Sequence, residues 1–346
     1  MTTIYLIRHA EAEGNLYRRI HGQYDSNITE NGKKQIAALE VRFRDVQIDA
    51  VYASDLTRTC HTARAIYVPK ELELRKDPRF REIRLGVWED VPFGELELNE
   101  AQQMKNFNHD PQNWIIEGAE TWEEYTNRFL GALADVAKAE EGKTVAIFTH
   151  GSVMSQSLKR LFPGLNPGHS DNTAVTKLTW DGEFHVEFAA DNSHLSEEIS
   201  TLARQNWWRG DPTKVDHNLW FLPYEDEIDW YLRFSDDAIP IAPMAVLQFA
   251  MLGNDPVGYL QLDPQRGQEE KVGFIDHLTV DKKHRRKDFG AQVLGSAVSF
   301  YRSLGREKLQ IAVPKRYGKN VPFLLYYGFY QISDEIFELN IKVQDH

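Results

Sequence analysis

A short apolar run, Ile4 to Ile7, stops abruptly on Arg8 and His9, and a loop containing Gly14 and Asn15 follows. Read as a buried strand, the run puts both basic side chains at its carboxyl end, where open α/β sheets hold their ligands. The pattern recurs twice. Ala50 to Ala53 leads into Ser54-Asp55-Leu56-Thr57-Arg58, a strand entering a helix through a Ser/Asp cap, with Arg58 in the first turn. Val145 to Phe148 leads into Thr149-His150-Gly151-Ser152 and another helix. Leu16 to Ile28 reads as loop. Amphipathic stretches lie between: Thr29 caps one with Ile36, Leu39 and Phe43 on one face, and a Thr121/Glu124 capping box opens one with a core stripe of Tyr125, Phe129, Leu133 and Val136. Strands alternating with helices predict a parallel sheet. Its carboxyl edge is one place, so Arg8, His9, Arg58 and His150 are expected to meet there.

Those residue types suit a phosphate, because a guanidinium binds oxyanions in a forked geometry and a neutral imidazole can attack phosphorus. The motifs resemble the histidine phosphatase superfamily, the phosphoglycerate mutase-like fold, over roughly residues 1 to 198. The resemblance implies an α/β domain of three α/β/α layers with a mainly parallel sheet. It implies His9 as the nucleophile that becomes phosphorylated, and Arg8, Arg58 and His150 as the groups holding the phosphoryl oxygens. Glu82, in Arg81-Glu82-Ile83-Arg84-Leu85-Gly86, stands where the phosphatase branch carries its proton donor. Substrate-binding roles are implied for Asn15, His21, Gly22 and Gly151, and Asn192-Ser193-His194-Leu195 looks like the closing segment. His9 has to be neutral to attack, and two arginines favour that by depressing its pKa. Transfer is then in line, with charge spread over the equatorial oxygens. This chemistry requires no metal or other cofactor, and no cysteine or histidine cluster has ligand spacing.

A mutase must hold a second anionic group and needs cations over the pocket. Between Ile83 and Thr121 the full cations are Arg84 and Lys105, against Glu89, Asp90, Glu95, Glu97, Glu100, Asp110, Glu117 and Glu120. Trp88, Phe93, Phe107 and Trp114 are interleaved. This segment favours a small phosphate monoester with a neutral or aromatic leaving group. Arg18, Arg19 and His21 argue for a mutase if they bind a distal phosphate, and carry no such weight if they form a solvated loop face. Phosphatase is the expected activity, with phosphoglycerate mutase-type transfer the alternative.

From Glu197 to Trp208 the sequence reads as an amphipathic helix that Gly210-Asp211-Pro212 breaks, which predicts a first domain over 1–205 and a second over 206–346. The aromatic run Trp207 to Asp237 has no legible period. Beyond Pro243, Ala245 to Met251 and Val257 to Leu262 read as strands joined at Gly253-Asn254-Asp255-Pro256, and Gly273 to Val280 as another. The basic run Asp281 to Ala291 then opens a helix with Val293, Leu294, Ala297, Val298 and Tyr301 inward. A basic loop at a helix N-terminus suits a phosphate. A nucleic-acid patch is the other reading, and a formal net charge of -12 disfavours it.

This half resembles the GNAT acetyltransferases over roughly residues 215 to 346, a mixed α/β fold, with Asn320 and Gly328-Phe329 at the fourth helix and following strand. The resemblance implies acetyl-CoA as cofactor and an amine as acetyl acceptor. Arg285, Arg286, Lys287, Gly290 and Ala291 fall on the pyrophosphate loop, and the Leu278–Val280 edge on the pantetheine. Two departures matter: Asp288 stands where the loop's first glycine is expected, and Leu324 where the general-acid tyrosine is, with Tyr326 or Tyr327 as substitutes. The second half is therefore a second enzyme or a non-catalytic regulatory module.

At 346 residues the chain is long enough for two cores, and 42% hydrophobic with 27% charged residues is ordinary for a globular protein. One cysteine, Cys60, excludes an internal disulfide, and no apolar run reaches membrane-spanning length. The negative surface repels nucleic acid and anionic membrane. A soluble cytoplasmic protein without nucleic-acid or membrane partners is expected; the oligomeric state is not legible.

Overall fold

Two sheets form in the computed structural model, which describes residues 1–166, 168–205, 217–224, 234 and 241–345. The first contains β1 (Thr2–Arg8), β3 (Ala50–Ala53), β4 (Leu74–Lys76), β6 (Thr144–Thr149), β7 (Val175–Trp180) and β8 (Phe184–Asp191), in the order β4-β3-β6-β1-β7-β8. β2 (Arg19–Ile20) and β5 (Val91–Pro92) make a separate ribbon. β4, β3, β6 and β1 are parallel, and β7 and β8 join antiparallel. Side chains alternate across β1 and β6: Ile4, Leu6, Val145 and Ile147 enter one core, Ile7, Ala146 and Phe148 the other. Helices α6 (Trp122–Ala139) and α7 (Gly151–Leu161) supply Phe129, Leu133, Val153 and Met154 to the first core. α2 (Glu30–Phe43) and α3 (Thr57–Tyr67) supply Leu39, Phe43, Ala63 and Ile66 to the second, completing three layers.

The structure corrects several local expectations. The Thr29 and Thr121/Glu124 caps form, but α3 starts after Leu56 with no side-chain cap of its own. Asp55 is drawn off to Arg81, at 2.6 and 2.5 Å, and the Asp25 carboxylate accepts from the Thr57 amide at 3.0 and 3.1 Å instead. The stretch Leu16 to Ile28 is not all loop: it holds the end of α1 (Glu13–Tyr17) and β2. Between residues 197 and 205 helix is confined to α8 (Thr201–Arg204), where the buried Asp171 carboxylate accepts from the Thr201 and Leu202 amides. Residues 206–208, the break at 210–212 and most of the run from Trp207 to Asp237 lie outside the described residues.

The second sheet runs β14-β15-β13-β12-β11-β10-β9, from β9 (Trp220–Pro223), β10 (Val246–Leu252), β11 (Asp255–Asp263), β12 (Val272–Val280), β13 (Lys308–Ala312), β14 (Tyr330–Gln331) and β15 (Ile336–Asn340). It is mixed, since β12 and β13 run parallel among antiparallel neighbours. That parallel pairing ends at Ile275–Ile311, so the strand edge from 276 to 280 is released on that side. Between β12 and β13 lies helix α9 (Phe289–Ser303), whose Val293, Leu294, Ala297, Val298 and Tyr301 are buried; α10 (Val321–Tyr326) follows β13. Tyr17 of α1 also belongs to this second core, so the two domains are packed together. Between β5 and α6 the first domain carries α4 (Phe93–Asn99) and α5 (Ala101–His109). Among the described residues, no helix is long and apolar enough to cross a membrane.

Candidate active site

The ends of β1 and β6 and the starts of α3 and α7 converge, and they bring Arg8, His9, Arg58, Glu82 and His150 together. The His9 and His150 rings lie 5.2 Å apart, centroid to centroid. His9 is buried, and its Nδ1 is 2.7 Å from the Ala10 carbonyl oxygen. Nδ1 therefore carries the hydrogen, and Nε2 keeps the lone pair a nucleophile needs. Its pKa lies well below the usual histidine value, with burial the largest cause and Arg58 and Arg8 adding to it. The sequence credited the arginines alone; how far the imidazole would be removed from water was not readable from spacing.

His150 is also depressed, by burial first and then by Arg58 and His9. Arg58 donates from Nε to His150 Nδ1 at 3.2 Å, and its terminal nitrogens donate to the Tyr24 and Gly22 carbonyls at 3.0 and 2.6 Å. Gly22, with φ at +55°, thus holds an arginine by its carbonyl. Arg8 donates to the Ser170 carbonyl, while its buried Nε has no hydrogen-bond partner among the described residues. A Cβ at Gly151 would sit 3.0 Å from that Nε, so the glycine makes room for the guanidinium. An unsatisfied buried donor beside a neutral imidazole with a free lone pair is the arrangement a protein offers to an oxyanion.

Glu82 meets the start of α7: Oε1 accepts from the Val153 and Ile83 amides at 2.7 and 3.0 Å, and Oε2 from the Ser152 amide at 3.0 Å. Asn15 accepts at Oδ1 from the Ala12 amide and from Asn172 Nδ2, at 3.1 and 3.2 Å, which reserves its own Nδ2 as a donor. His21 is tied to Ser26 at 3.0 Å and lies 3.5 Å from Asp90, with its ring against Gly14. Arg18 and Arg19 are neither solvated nor set out for a distal phosphate. Arg19 binds Asp90 at 2.8 Å and Ser299 at 3.0 Å; Arg18 binds Asn218 at 2.9 Å, 4.7 Å above the Phe93 ring.

Sequence reasoning missed the supports. Ser54 Oγ is 2.8 Å from His150 Nε2 and 2.7 Å from Thr59 Oγ1. Asn172 Nδ2 and the Thr173 amide donate to the His9 carbonyl at 3.0 and 3.3 Å. Thr173 sits at φ +59°, a strained place for a β-branched residue, and its hydroxyl is 3.0 Å from His194 Nε2. The expected closing segment thus fastens the 171–173 corner, with Asn192 on Asp171 at 3.1 Å. Asp171-Asn172-Thr173 reads as ordinary loop; the proximity of Ser54 to the third strand end was the one available signal.

The sequence profile of the histidine phosphatase superfamily (branch 1) matches residues 4–191, more than half of the chain. The chain belongs to this superfamily. A curated relative, the probable phosphoglycerate mutase GpmB of Enterobacter sp. (strain 638), is 31% identical over 207 residues, 56% of this chain and 95% of its own length. Among solved structures, Bacillus stearothermophilus YhfR has 31% identity and a TM-score of 0.54, covering 57% of this chain and all (100%) of its own. A phosphoglycerate mutase from Bacillus anthracis str. Sterne shares the fold, with a TM-score of 0.52 at 22% identity over 56% of this chain and 94% of its own. The superfamily match leaves the second half of the chain aside. There the acetyltransferase (GNAT) family profile matches residues 204–329.

GNAT proteins generally use acetyl-CoA, whose diphosphate would fall to the loop before α9. Arg286 and Asp288 take left-handed conformations, φ 63° and 60°, so Asp288 fills the glycine's backbone role. The rest does not fit a diphosphate. The Asp288 carboxyl stands at the helix start, and the Ala291 amide is spent on the Asp288 carbonyl at 3.1 Å. Lys287 and Asp288 line a cavity of about 50 Å³ that Leu16, Arg18, Gln205, His217 and Gln292 close. Arg285 turns back to the Val280 carbonyl at 2.8 Å, and Gly290 abuts the Phe323 ring. Leu278 packs against the second core and Val280 is buried in it, as is Leu324. The Tyr326 hydroxyl is engaged by Arg204, and the Tyr327 ring packs on Phe323 at 4.8 Å.

Proposed function

We propose that the chain hydrolyses small phosphate monoesters through a phosphohistidine on His9. Nε2 of the neutral imidazole attacks phosphorus; the N–P bond forms as the ester P–O bond breaks in line. The Arg8 Nε–H, the Asn15 Nδ2–H₂ and the Arg58 guanidinium meet the equatorial oxygens, where charge spreads in the transition state. Glu82, carrying a proton, gives it to the departing alkoxide. It then takes one from the water that attacks phosphohistidine, releasing orthophosphate. Both Glu82 oxygens face α7 amides, so delivery requires the carboxyl to swing from at least one of them.

Hydrolysis is favoured over mutase transfer by the engagement of Arg18 and Arg19. A second anionic group on the substrate needs such cations, and these two are committed to Asn218, Asp90 and Ser299. The name of the GpmB relative supports the mutase as second reading. Wild type and His9→Ala, assayed on p-nitrophenyl phosphate with acid-labile phosphoprotein trapped, test the proposal. Turnover and a trapped phosphoenzyme are expected for wild type alone, and activity surviving in His9→Ala ends the nucleophile assignment. Interconversion of phosphoglycerates faster than orthophosphate release would favour the mutase.

For the second domain, Asp288 and Leu324 favour a module without acetyl transfer. No thermal shift with millimolar acetyl-CoA is expected, because a ligand that binds the folded state must raise its stability.

A further inference from the structure

The phosphate site proposed above leans on a helix too short to hold itself. α1 has five residues, Glu13 to Tyr17, fewer than an isolated helix needs to persist. Its conformation has to come from its neighbours, and many of these belong to the second domain. Tyr17 sits in that domain's core, where a Cβ on Gly295 of α9 would come 2.4 Å from the Tyr17 Cβ. Gln205, the last residue of the first domain, also donates to the Asn15 carbonyl at 3.0 Å.

The tightest link is Arg302, in the last turns of α9. Its two terminal nitrogens grip both oxygens of Glu13 at 2.7 and 2.9 Å, and its Nε donates to the Ile341 carbonyl at 2.5 Å. Both side chains are nearly buried, 10% and 11% exposed, so the pair is not loosened by solvent. Glu13 also accepts from the Asn27 amide at 3.1 Å. Two residues after Glu13 comes Asn15. One guanidinium of the second domain therefore holds the chain segment that carries a phosphate ligand.

We propose that Arg302 of the second domain is a positioning residue for the phosphate site of the first, acting through Glu13 on Asn15. The GNAT fold would then serve the phosphatase as one wall of its pocket. A merely stabilising ion pair would lower the melting temperature and leave the affinity of folded protein for phosphate alone. A positioning pair moves that affinity.

The full chain is compared as wild type, Arg302→Met, Arg302→Lys, Glu13→Gln and Lys271→Met. The last breaks an exposed pair with Glu307 in the same domain. The dissociation constant of orthophosphate is measured by calorimetry below the melting temperature of each protein, with KM and kcat on p-nitrophenyl phosphate alongside. Arg302→Met should weaken orthophosphate binding and raise KM about tenfold with kcat within about twofold, the loss of a charge-assisted contact acting on binding. Arg302→Lys should recover part of the loss, Glu13→Gln should fall between, and Lys271→Met should match wild type. If Arg302→Met does not fold, Glu13→Gln and Arg302→Lys carry the comparison. Folded variants that bind orthophosphate as wild type does overturn the inference, and so does a wild type that binds none. The inference rests on the phosphate reading, yet the readouts separate: a wild type that binds orthophosphate without hydrolysing the ester refutes the hydrolysis and leaves the positioning to be judged from the dissociation constants.

Discussion

The Nε–H of Arg58 points at Nδ1 of His150 across 3.2 Å, and that contact decides the tautomer of a buried ring. With Nδ1 accepting, Nε2 must carry the hydrogen and donate to Ser54 Oγ at 2.8 Å. Ser54 then donates to Thr59 Oγ1, whose own hydrogen goes to the Leu56 carbonyl at 2.7 Å. The chain runs one way, from guanidinium to backbone. To face a phosphoryl oxygen in place of Arg58, Nδ1 would have to take up a proton and become a donor, while Ser54 holds the ring by Nε2.

Ser54→Ala removes the acceptor for Nε2 and leaves a buried polar atom unpaired, at a cost of about 1–3 kcal/mol. The expected result is a fall in kcat/KM on p-nitrophenyl phosphate of roughly tenfold or more, with the phosphoenzyme still trapped on His9. Unchanged kinetics would show that the ring needs no such anchor.

Burial sets a pH window for stability. His9 and His150 are held well below their ordinary value and His194 is lowered to about 4, in each case by burial first. In the unfolded chain these rings take up protons near pH 6.5, while in the folded chain they stay neutral. The unfolded state then binds more protons, so the stability is fully present above about pH 6.5 and drains away as pH falls toward the folded values. The melting temperature should drop steadily from pH 7 to pH 5, before most carboxylates begin to titrate. The acid limb of kcat/KM should likewise lie below pH 6.5. A melting temperature flat to pH 5 would contradict the buried neutral imidazoles.

Glu82→Gln is more than the loss of a proton carrier. Three amides donate to the carboxylate, and an amide side chain offers one acceptor oxygen and one donor nitrogen. Whichever way it flips, an N–H faces an amide N–H. Activity on a poor leaving group should fall by about 10²–10⁴, and stability should fall by about 1–3 kcal/mol as well. Glu82→Asp should restore neither, being too short to reach both Ser152 and Val153. Measuring leaving groups of different basicity separates proton delivery from damage, since only the former spares p-nitrophenyl phosphate.

Much of this was legible because it is carried by strand ends. The apolar runs before Arg8 and His150 and the helix opening on Arg58 are local signals, and a parallel sheet turns them into one place. The second sheet and α9 were legible for the same reason. The Ser54/Asp55 cap misled because a residue 30 positions earlier in the chain, Asp25, does the capping, a contact only tertiary structure supplies. Arg18 and Arg19 misled for the converse reason. A charge run has no local marker that distinguishes solvent, ligand or a second domain, and here Asn218 and Ser299 are the domain that claims them.

The closeness of that second domain can be read from a pair of glycines. In an exposed helix interior, glycine to alanine stabilises by about 1 kcal/mol through propensity alone. Among the described residues, nothing outside the backbone of α6 itself lies within 4 Å of a notional Cβ on Gly131, so Gly131→Ala should raise stability by about that much. Gly295 of α9 has the same propensity to gain, but its Cβ would meet the Tyr17 Cβ at 2.4 Å and Cγ at 2.6 Å. Those atoms lie at the root of the side chain and cannot swing aside without moving α1. Overpacking of this kind costs about 1–3 kcal/mol, which exceeds the gain, so Gly295→Ala should lower stability. Chemical denaturation of both variants beside wild type reads the difference, and a Gly295→Ala protein as stable as Gly131→Ala would mean that α9 and α1 do not pack as closely as described.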